Sequence, residues 1–153
     1  MSFTLTPIGT VRSSRSVVRD DAWDQERASI ELAPDFDEDA LSGLDSFSHV
    51  EVLFVMDRVA PESVVAGARR PRNNPNWPAV GIFAQRGKNR PNRLGLTICR
   101  VVGLAGRTVE VAGLDAVDGT PVLDIKPWVR QFGPRGDVFQ PPWMDELMER
   151  YWA

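Results

Sequence analysis

The chain has 153 residues, 42% of them apolar and 25% charged, a balance that fits one ordinary globular domain and excludes wholesale disorder or a collagen-like repeat. No apolar run approaches the ~20 residues of a membrane span, and the first residues lack the basic-then-apolar layout of a secretory leader, so the expected setting is soluble and cytoplasmic. The formal charge is −3, and a single cysteine, Cys99, with a single histidine, His49, excludes an internal disulfide, a cysteine-rich zinc site and any two-histidine scheme. No metal is expected.

Taken in chain order, residues 3–11 hold Phe3, Leu5, Ile8 and Val11 around the breakers Pro7 and Gly9, which predicts a short strand and bend. Residues 12–26 are polar and without period, so they read as a loop. Ala28, Ile30 and Leu32 alternate with polar residues as a half-buried strand that Pro34 stops. An acidic run, 35–39, leads into Leu41, Leu44 and Phe47, whose spacing suits a short helix or turn packed inward. HVEVLFV, residues 49–55, predicts a strand whose C-terminal half is buried on both faces.

Residues 61–78 are rich in Pro, Asn, Arg and Gly and predict a long irregular loop of the kind that carries function. A short strand is expected over 80–83, a polar loop over 85–93, and a pair of strands over 96–104 and 108–111 around Ala105-Gly106. Asp118-Gly119-Thr120-Pro121 signals a turn before a strand at 122–125. The prolines at 127, 134, 141 and 142 keep the next stretch irregular, and only residues 143–152 read as helix, with Pro142 near its start. Many short strands with little helix predict a mostly β fold, a compact barrel or sandwich.

The net charge hides a strong asymmetry. Residues 69–107 carry nine basic side chains and no acidic one, whereas 1–68 carry thirteen acidic against five basic, and 108–153 eight against four. Eight of the nine are arginines, whose planar fork suits phosphates and carboxylates. Such a segment could face RNA, line a pocket for an anionic ligand, or pair with the acidic flanks across the fold.

Familiar site patterns are missing: there is no phosphate-binding loop, nucleophile elbow or glycine-rich dinucleotide fingerprint. Cys99 falls mid-strand and reads as a core residue, and His49 as a structural one. Three polar loop segments remain. The first is Arg69-Arg70-Pro71-Arg72, and the second is GIFAQRGKNRPNRLG at 81–95, with Arg86, Arg90, Asn92 and Arg93. The third is GLDAVDGTPVLDIKPW at 113–128, with Asp115, Asp118 and Asp124. Carboxylates can hold ribose hydroxyls or an ammonium, and arginines a carboxylate or phosphates, so together they suit a zwitterionic nucleoside; turn chemistry alone also accounts for Asp115 and Asp118.

These segments carry a resemblance. IGTVRS at 8–13, LDSFSHVEVLFV at 44–55, RRPR at 69–72, GIFAQR with RPNRLG at 81–95 and LDAVDGTPVLDIKPW at 114–128 follow one another as in the TrmO-like (TsaA-like) family of S-adenosylmethionine-dependent methyltransferases. That resemblance implies a small single-domain antiparallel β-barrel over residues 1–128, with residues 129–153 as a C-terminal extension packed on it, and a homodimer with the cofactor near the subunit interface. It implies methylation of N6 of threonylcarbamoyl-adenosine beside the tRNA anticodon. The alternatives are a methyltransferase of the same fold with another substrate, and a non-catalytic S-adenosylmethionine- or RNA-binding module.

Carried over by position, Gln25, Asp57, Arg58, Arg86, Leu96, Gly113, Leu114 and Asp115 are expected at the S-adenosylmethionine. Arg69, Arg70, Arg72, Arg90 and Arg93 are expected on tRNA phosphates, and Asp118 as an acceptor for the amine proton. The chain departs from the family pattern at Trp23-Asp24-Gln25, where Pro-Arg-Gln is usual, and at Met56-Asp57-Arg58, where a histidine often stands. It departs again at Gly87-Lys88-Asn89, before Arg90, where Ser-Pro and an aromatic or histidine are frequent.

Overall fold

A computed structural model describes all of residues 1–153. Its strands in chain order are β1 (Gly9–Ser13), β2 (Arg27–Leu32), β3 (His49–Val55), β4 (Ala68–Arg69), β5 (Val80–Gly81), β6 (Leu94–Ala105), β7 (Thr108–Ala112) and β8 (Pro121–Pro127). Six of them close an antiparallel barrel in the order β1-β2-β7-β6-β3-β8, while β4 and β5 pair separately inside the arginine-rich loop. A single α-helix, α1 (Pro142–Met148), follows the barrel.

The barrel follows from alternation. Val11, Ile30, Val50, Val52, Val109, Val111 and Val122 are fully buried, one or two from each of β1, β2, β3, β7 and β8. All are β-branched, stiff at χ1 and well suited to the pleated interior of a small barrel. Burying each of these side chains contributes roughly 1.5–3 kcal/mol. Cys99 belongs to the same core. Gly95 faces Phe54 across the β3–β6 ladder, and a methyl group on Gly95 would stand 2.3 Å from the Phe54 ring. The β6–β7 and β3–β8 ladders each shift register once, near Val101 to Gly103 and at Leu53/Phe54. Such bulges bend a strand and help a sheet close.

Three boundaries differ from the sequence expectation. Strand β1 starts at Gly9, because Phe3 and Leu5 lie exposed with no surface to pack on. The expected strand at 80–83 ends at Gly81 and becomes a 3₁₀ turn, Ile82–Ala84, which drives Ile82 into the interior. The C-terminal helix stops at Met148, short of residue 152: the Glu149 and Tyr151 amides turn back to Glu146 O and Met148 O at 3.3 and 3.0 Å, and the carbonyls of Arg150, Tyr151 and Trp152 accept from the amides of Ala22, Trp23 and Asp24 at 3.1, 3.0 and 3.3 Å.

The loops at 14–26 and 113–120 are zipped together at one end of the barrel. The Asp118 amide donates to Arg15 O at 2.9 Å, the Ser13 amide donates to the Asp118 carboxylate at 3.0 Å, and the Gly113 amide donates to Glu26 O at 3.0 Å. With the tail after α1 laid against them, these loops frame the candidate site. No helix is long and apolar enough to cross a membrane.

Candidate functional site

The centre of the site is Asp115, at the start of the loop that leaves β7. Thr97, buried on β6, donates its hydroxyl to Asp115 Oδ1, and the Tyr151 hydroxyl donates to Oδ2. An ionised carboxylate only accepts, so both hydroxyl protons are committed to it. Burial first, then the neighbouring Asp115 charge and the hydrogen bond to it, push the Tyr151 phenol well above the ordinary tyrosine range; Arg86 acts in the opposite direction. Burial, helped by Asp115, likewise pushes the Cys99 thiol up to about 12, which suits a core residue rather than a nucleophile.

Arg86 sits beside this centre. Its guanidinium donates to the Leu96 carbonyl at 2.7 Å, which leaves other N–H groups for a ligand. Leu96 itself points outward from β6, in a row with Ile98 and Val102; the three are 47%, 48% and 50% exposed. Gly113 is buried with φ +81°, close to Asp24, a conformation that favours glycine. Leu114 is almost fully buried in the core, so only its main chain can meet a ligand.

The first loop is held by a residue that sequence reasoning passed over. Arg15 is 5% exposed and lies flat over Trp23, 3.4 Å from the ring centre. Its two terminal nitrogens donate to Ala22 O at 2.9 Å and Asp21 O at 2.7 Å, and Glu26 is 3.6 Å away. Burial lowers its pKa, with the nearby Arg19 acting in the same direction. Beside it, Gln25 is exposed and donates to Asp24 Oδ2 at 2.7 Å, while Asp24 pairs with Arg100 at 2.7 Å. Thus the Trp23-Asp24 departure from the family pattern is used internally, as a platform for Arg15 and a partner for Arg100.

The remaining expected residues fall into two groups. Arg58 donates to the Ser16 and Asp118 carbonyls, the latter at 2.7 Å, which ties the loop after β3 to the 113–120 loop; Asp57 next to it is exposed. One Asp118 oxygen is engaged on the Ser13 amide. Among the arginines of the 69–107 segment, only Arg72 and Arg100 meet acidic side chains, Arg72 at Asp21 (2.9 Å) and Asp20 and Arg100 at Asp24. Arg70 donates to the Trp77 carbonyl, Arg90 to Gln85 O at 2.7 Å, and Arg93 to Val59 O at 2.7 Å. A carbonyl orders a guanidinium without cancelling its charge, so most of the segment stays strongly positive. Arg69 is half-buried, its Nε without a partner.

Arg70-Pro71 and Arg90-Pro91 lead into similar turns. Arg72 and Asn73 have φ of 50° and 55°, and Asn92 and Arg93 have 63° and 52°, so each turn places two consecutive non-glycine residues in the left-handed region. Trp77, between the turns, donates its indole N–H to Glu146 of α1 at 2.7 Å and ties the arginine loop to the C-terminal extension. No cluster of three or more His, Cys, Asp or Glu side chains is placed to hold a metal ion.

Four members of this arrangement, Arg15, Thr97, Trp77 and Tyr151, were not singled out by sequence. Tyr151 alone left a signal, as the one tyrosine in the chain.

Comparison with known proteins extends the geometry. A family model described as the tRNA-methyltransferase O N-terminal domain matches residues 13–133. The chain is 36% identical over 135 residues to a Pseudomonas aeruginosa protein named "Putative S-adenosylmethionine-dependent methyltransferase RcsF", covering 84% of this chain and 58% of that one. It is 38% identical over 104 residues to the tRNA (adenine(37)-N6)-methyltransferase of Homo sapiens, covering 68% of this chain and 23% of that one. The crystal structure of TrmO from Pseudomonas aeruginosa superposes with a TM-score of 0.73 at 30% identity, covering 91% of this chain and 62% of that one. The chain therefore spans less than two thirds of each of these proteins. The matched fold, the shared length and the identity agree: the chain belongs to the family of the tRNA-methyltransferase O N-terminal domain.

Proposed function

We propose that the chain is an S-adenosylmethionine-dependent methyltransferase that methylates N6 of threonylcarbamoyl-adenosine beside the tRNA anticodon. The observation that carries this reading is the Asp115 carboxylate, oriented by Thr97 and Tyr151 next to the charge of Arg86, at the edge of a segment with nine basic and no acidic side chains. Family membership and the activities for which the bacterial and human relatives are named support it.

The residues fit the cofactor's chemistry. Asp115 keeps acceptor capacity for ribose hydroxyls or an ammonium, and Arg86 keeps N–H donors for a carboxylate. Gly113 and the Leu114 main chain form the adjoining wall, and Gln25, Asp57, Arg58 and Leu96 complete the proposed rim. Bound S-adenosylmethionine supplies an electrophilic methyl group on a sulfonium. An adenine amino group is a weak nucleophile, so the work of the protein is in-line positioning plus an acceptor for the N–H proton. The free oxygen of Asp118 is the proposed acceptor, its carboxylate being fixed by the Ser13 amide.

Arg69, Arg70, Arg72, Arg90 and Arg93 are proposed to bind tRNA phosphates, with affinity that falls as salt rises. The outward-facing Leu96 and Ile98, with Val102 beyond Arg100 on the same face, support a homodimer packed through β6, because exposed apolar side chains on a barrel wall gain by being covered. A tRNA substrate implies a cytoplasmic site of action.

Incubating the protein with tRNA and methyl-labelled S-adenosylmethionine, then identifying the labelled nucleoside, tests the assignment. Label in N6-methyl threonylcarbamoyl-adenosine supports it, and a failure to label any tRNA removes the tRNA assignment. One observation favours a second reading, a methyltransferase with another acceptor: Trp23 and Asp24 are committed to Arg15 and Arg100, so the first loop presents neither the proline nor the arginine usual there. Label appearing only in a different substrate would establish that reading.

A further inference from the structure

We infer that Tyr151, brought in by the C-terminal tail, is a positioning residue of the cofactor site: with Thr97 it fixes the Asp115 carboxylate so that its remaining lone pairs meet the ligand. This rests on the S-adenosylmethionine-binding reading above.

Each Asp115 oxygen receives one hydroxyl, Oδ1 from Thr97 and Oδ2 from Tyr151. A carboxylate offers about four acceptor positions, so two stay open and their directions are set by the two already used. Without the phenol, the carboxylate keeps only the Thr97 contact and can swing about its Cβ–Cγ bond. Tyr151 is placed by its surroundings and does not simply rest on the nearest acid. The Ala22, Trp23 and Asp24 amides grip the carbonyls of Arg150, Tyr151 and Trp152, and the Trp152 ring stands edge-on to the phenol at 4.9 Å. Glu146, five residues upstream on α1, is held by the Trp77 indole at 2.7 Å.

The loop so gripped, residues 22–24, leads directly into Gln25 and contains the Trp23 platform under the buried Arg15. The tail therefore braces two sides of the site at once, the carboxylate through a side chain and the first loop through main-chain bonds. A tail that served only to cover apolar surface would need no hydroxyl at this position, since phenylalanine would bury as much.

Isothermal titration of S-adenosylmethionine into the wild-type chain, Tyr151→Phe, Asp115→Asn and the double variant tests this. Tyr151→Phe keeps the ring and removes the hydroxyl. It should raise Kd about tenfold, equivalent to about 1.4 kcal/mol. In the Asp115→Asn background the same change should alter Kd by less than about twofold, because the effect passes through that carboxylate. Equal losses in both backgrounds indicate a merely structural role and overturn the inference, as does unchanged affinity. Tighter binding by Tyr151→Phe overturns it in the other direction and marks the tail as a plug. If the wild-type chain binds no S-adenosylmethionine, the functional reading falls and takes this inference with it; wild-type binding with an indifferent Tyr151→Phe overturns this inference alone. Thermal unfolding of each variant distinguishes loss of the site from loss of the fold.

Discussion

Replacing Arg15 by methionine should destabilise the fold by about 3 kcal/mol, through broken contacts and not through lost volume. The guanidinium makes two hydrogen bonds to main-chain carbonyls, at 2.9 and 2.7 Å, stacks on Trp23 at 3.4 Å and lies 3.6 Å from Glu26. Hydrogen bonds from a charged donor are worth about 1.5–3 kcal/mol each, and stacking over a desolvated indole adds about 2 kcal/mol. Against this stands the cost of holding a guanidinium at 5% exposure, several kcal/mol, which methionine escapes.

Breaking a buried ion pair by removing one partner generally costs about 3–5 kcal/mol; here Glu26 is partly exposed and can rehydrate, which favours the lower end. Urea unfolding followed by tryptophan fluorescence is the assay. With a slope of about 2 kcal/mol/M, the midpoint should fall by about 1.5 M. Arg15→Lys should lose nearly as much, because an ammonium cannot reach both carbonyls with the fixed fork. A loss below about 1 kcal/mol for Arg15→Met would refute the reasoning and leave Arg15 as a passenger of the loop.

Three further outcomes follow from the same geometry. Stability should fall at alkaline pH: the folded Cys99 thiol titrates near 12 against 9.0 when free, so above pH 9 the unfolded chain loses a proton that the native one keeps, and native stability drops by about 1.4 kcal/mol per pH unit until about pH 12. The Tyr151 phenol, raised for the same reason, adds a second loss above its free value of about 10. Urea midpoints from pH 8 to 11 measure both, and Cys99→Ala should flatten the limb that begins near pH 9; an unchanged limb rules out the thiol. Gly95→Ala should cost about 1–3 kcal/mol, since the added methyl would stand 2.3 Å from the buried Phe54 ring, and calorimetry should register a lower Tm; wild-type stability would mean that the ring yields freely. The proposed β6 dimer predicts that the wild-type chain sediments as a dimer and Ile98→Glu as a folded monomer; a monomeric wild type refutes the dimer, and a variant that remains dimeric places the interface elsewhere.

Much of the barrel was legible in advance because alternation is a local property. Ile30, Val50, Val52, Val109 and Val111 sit on their expected strands and point inward, and the 61–78 and 85–93 loops carry their prolines and asparagines openly. Boundaries failed where a distant partner decided them. Beyond Met148 the chain leaves the helix and gives the carbonyls of Arg150, Tyr151 and Trp152 to the first loop, more than a hundred residues earlier. Arg15 looked like one more charge in a polar loop, since neither its burial nor its stacking on Trp23 is encoded in nearby residues. Asp115 and Arg86 could be named from family motifs, but the hydroxyls that orient the carboxylate come from β6 and the tail, and their convergence is a property of the folded chain alone. Two-residue β4 is similarly invisible, since pairing with β5 and not composition creates it.

The position of the tail has a practical side. Ala153 is exposed and two residues from Tyr151, so a peptide fused after it begins beside Asp115 and drags on the carbonyls that grip residues 22–24. At the other end, Met1 to Pro7 lie exposed outside the barrel strands. An affinity tag placed before Met1 should leave ligand binding intact, whereas the same tag after Ala153 should weaken it in a chain that still folds, purifies and melts normally. A fusion partner is thus a perturbation of the site, and the choice of terminus decides what a binding assay measures.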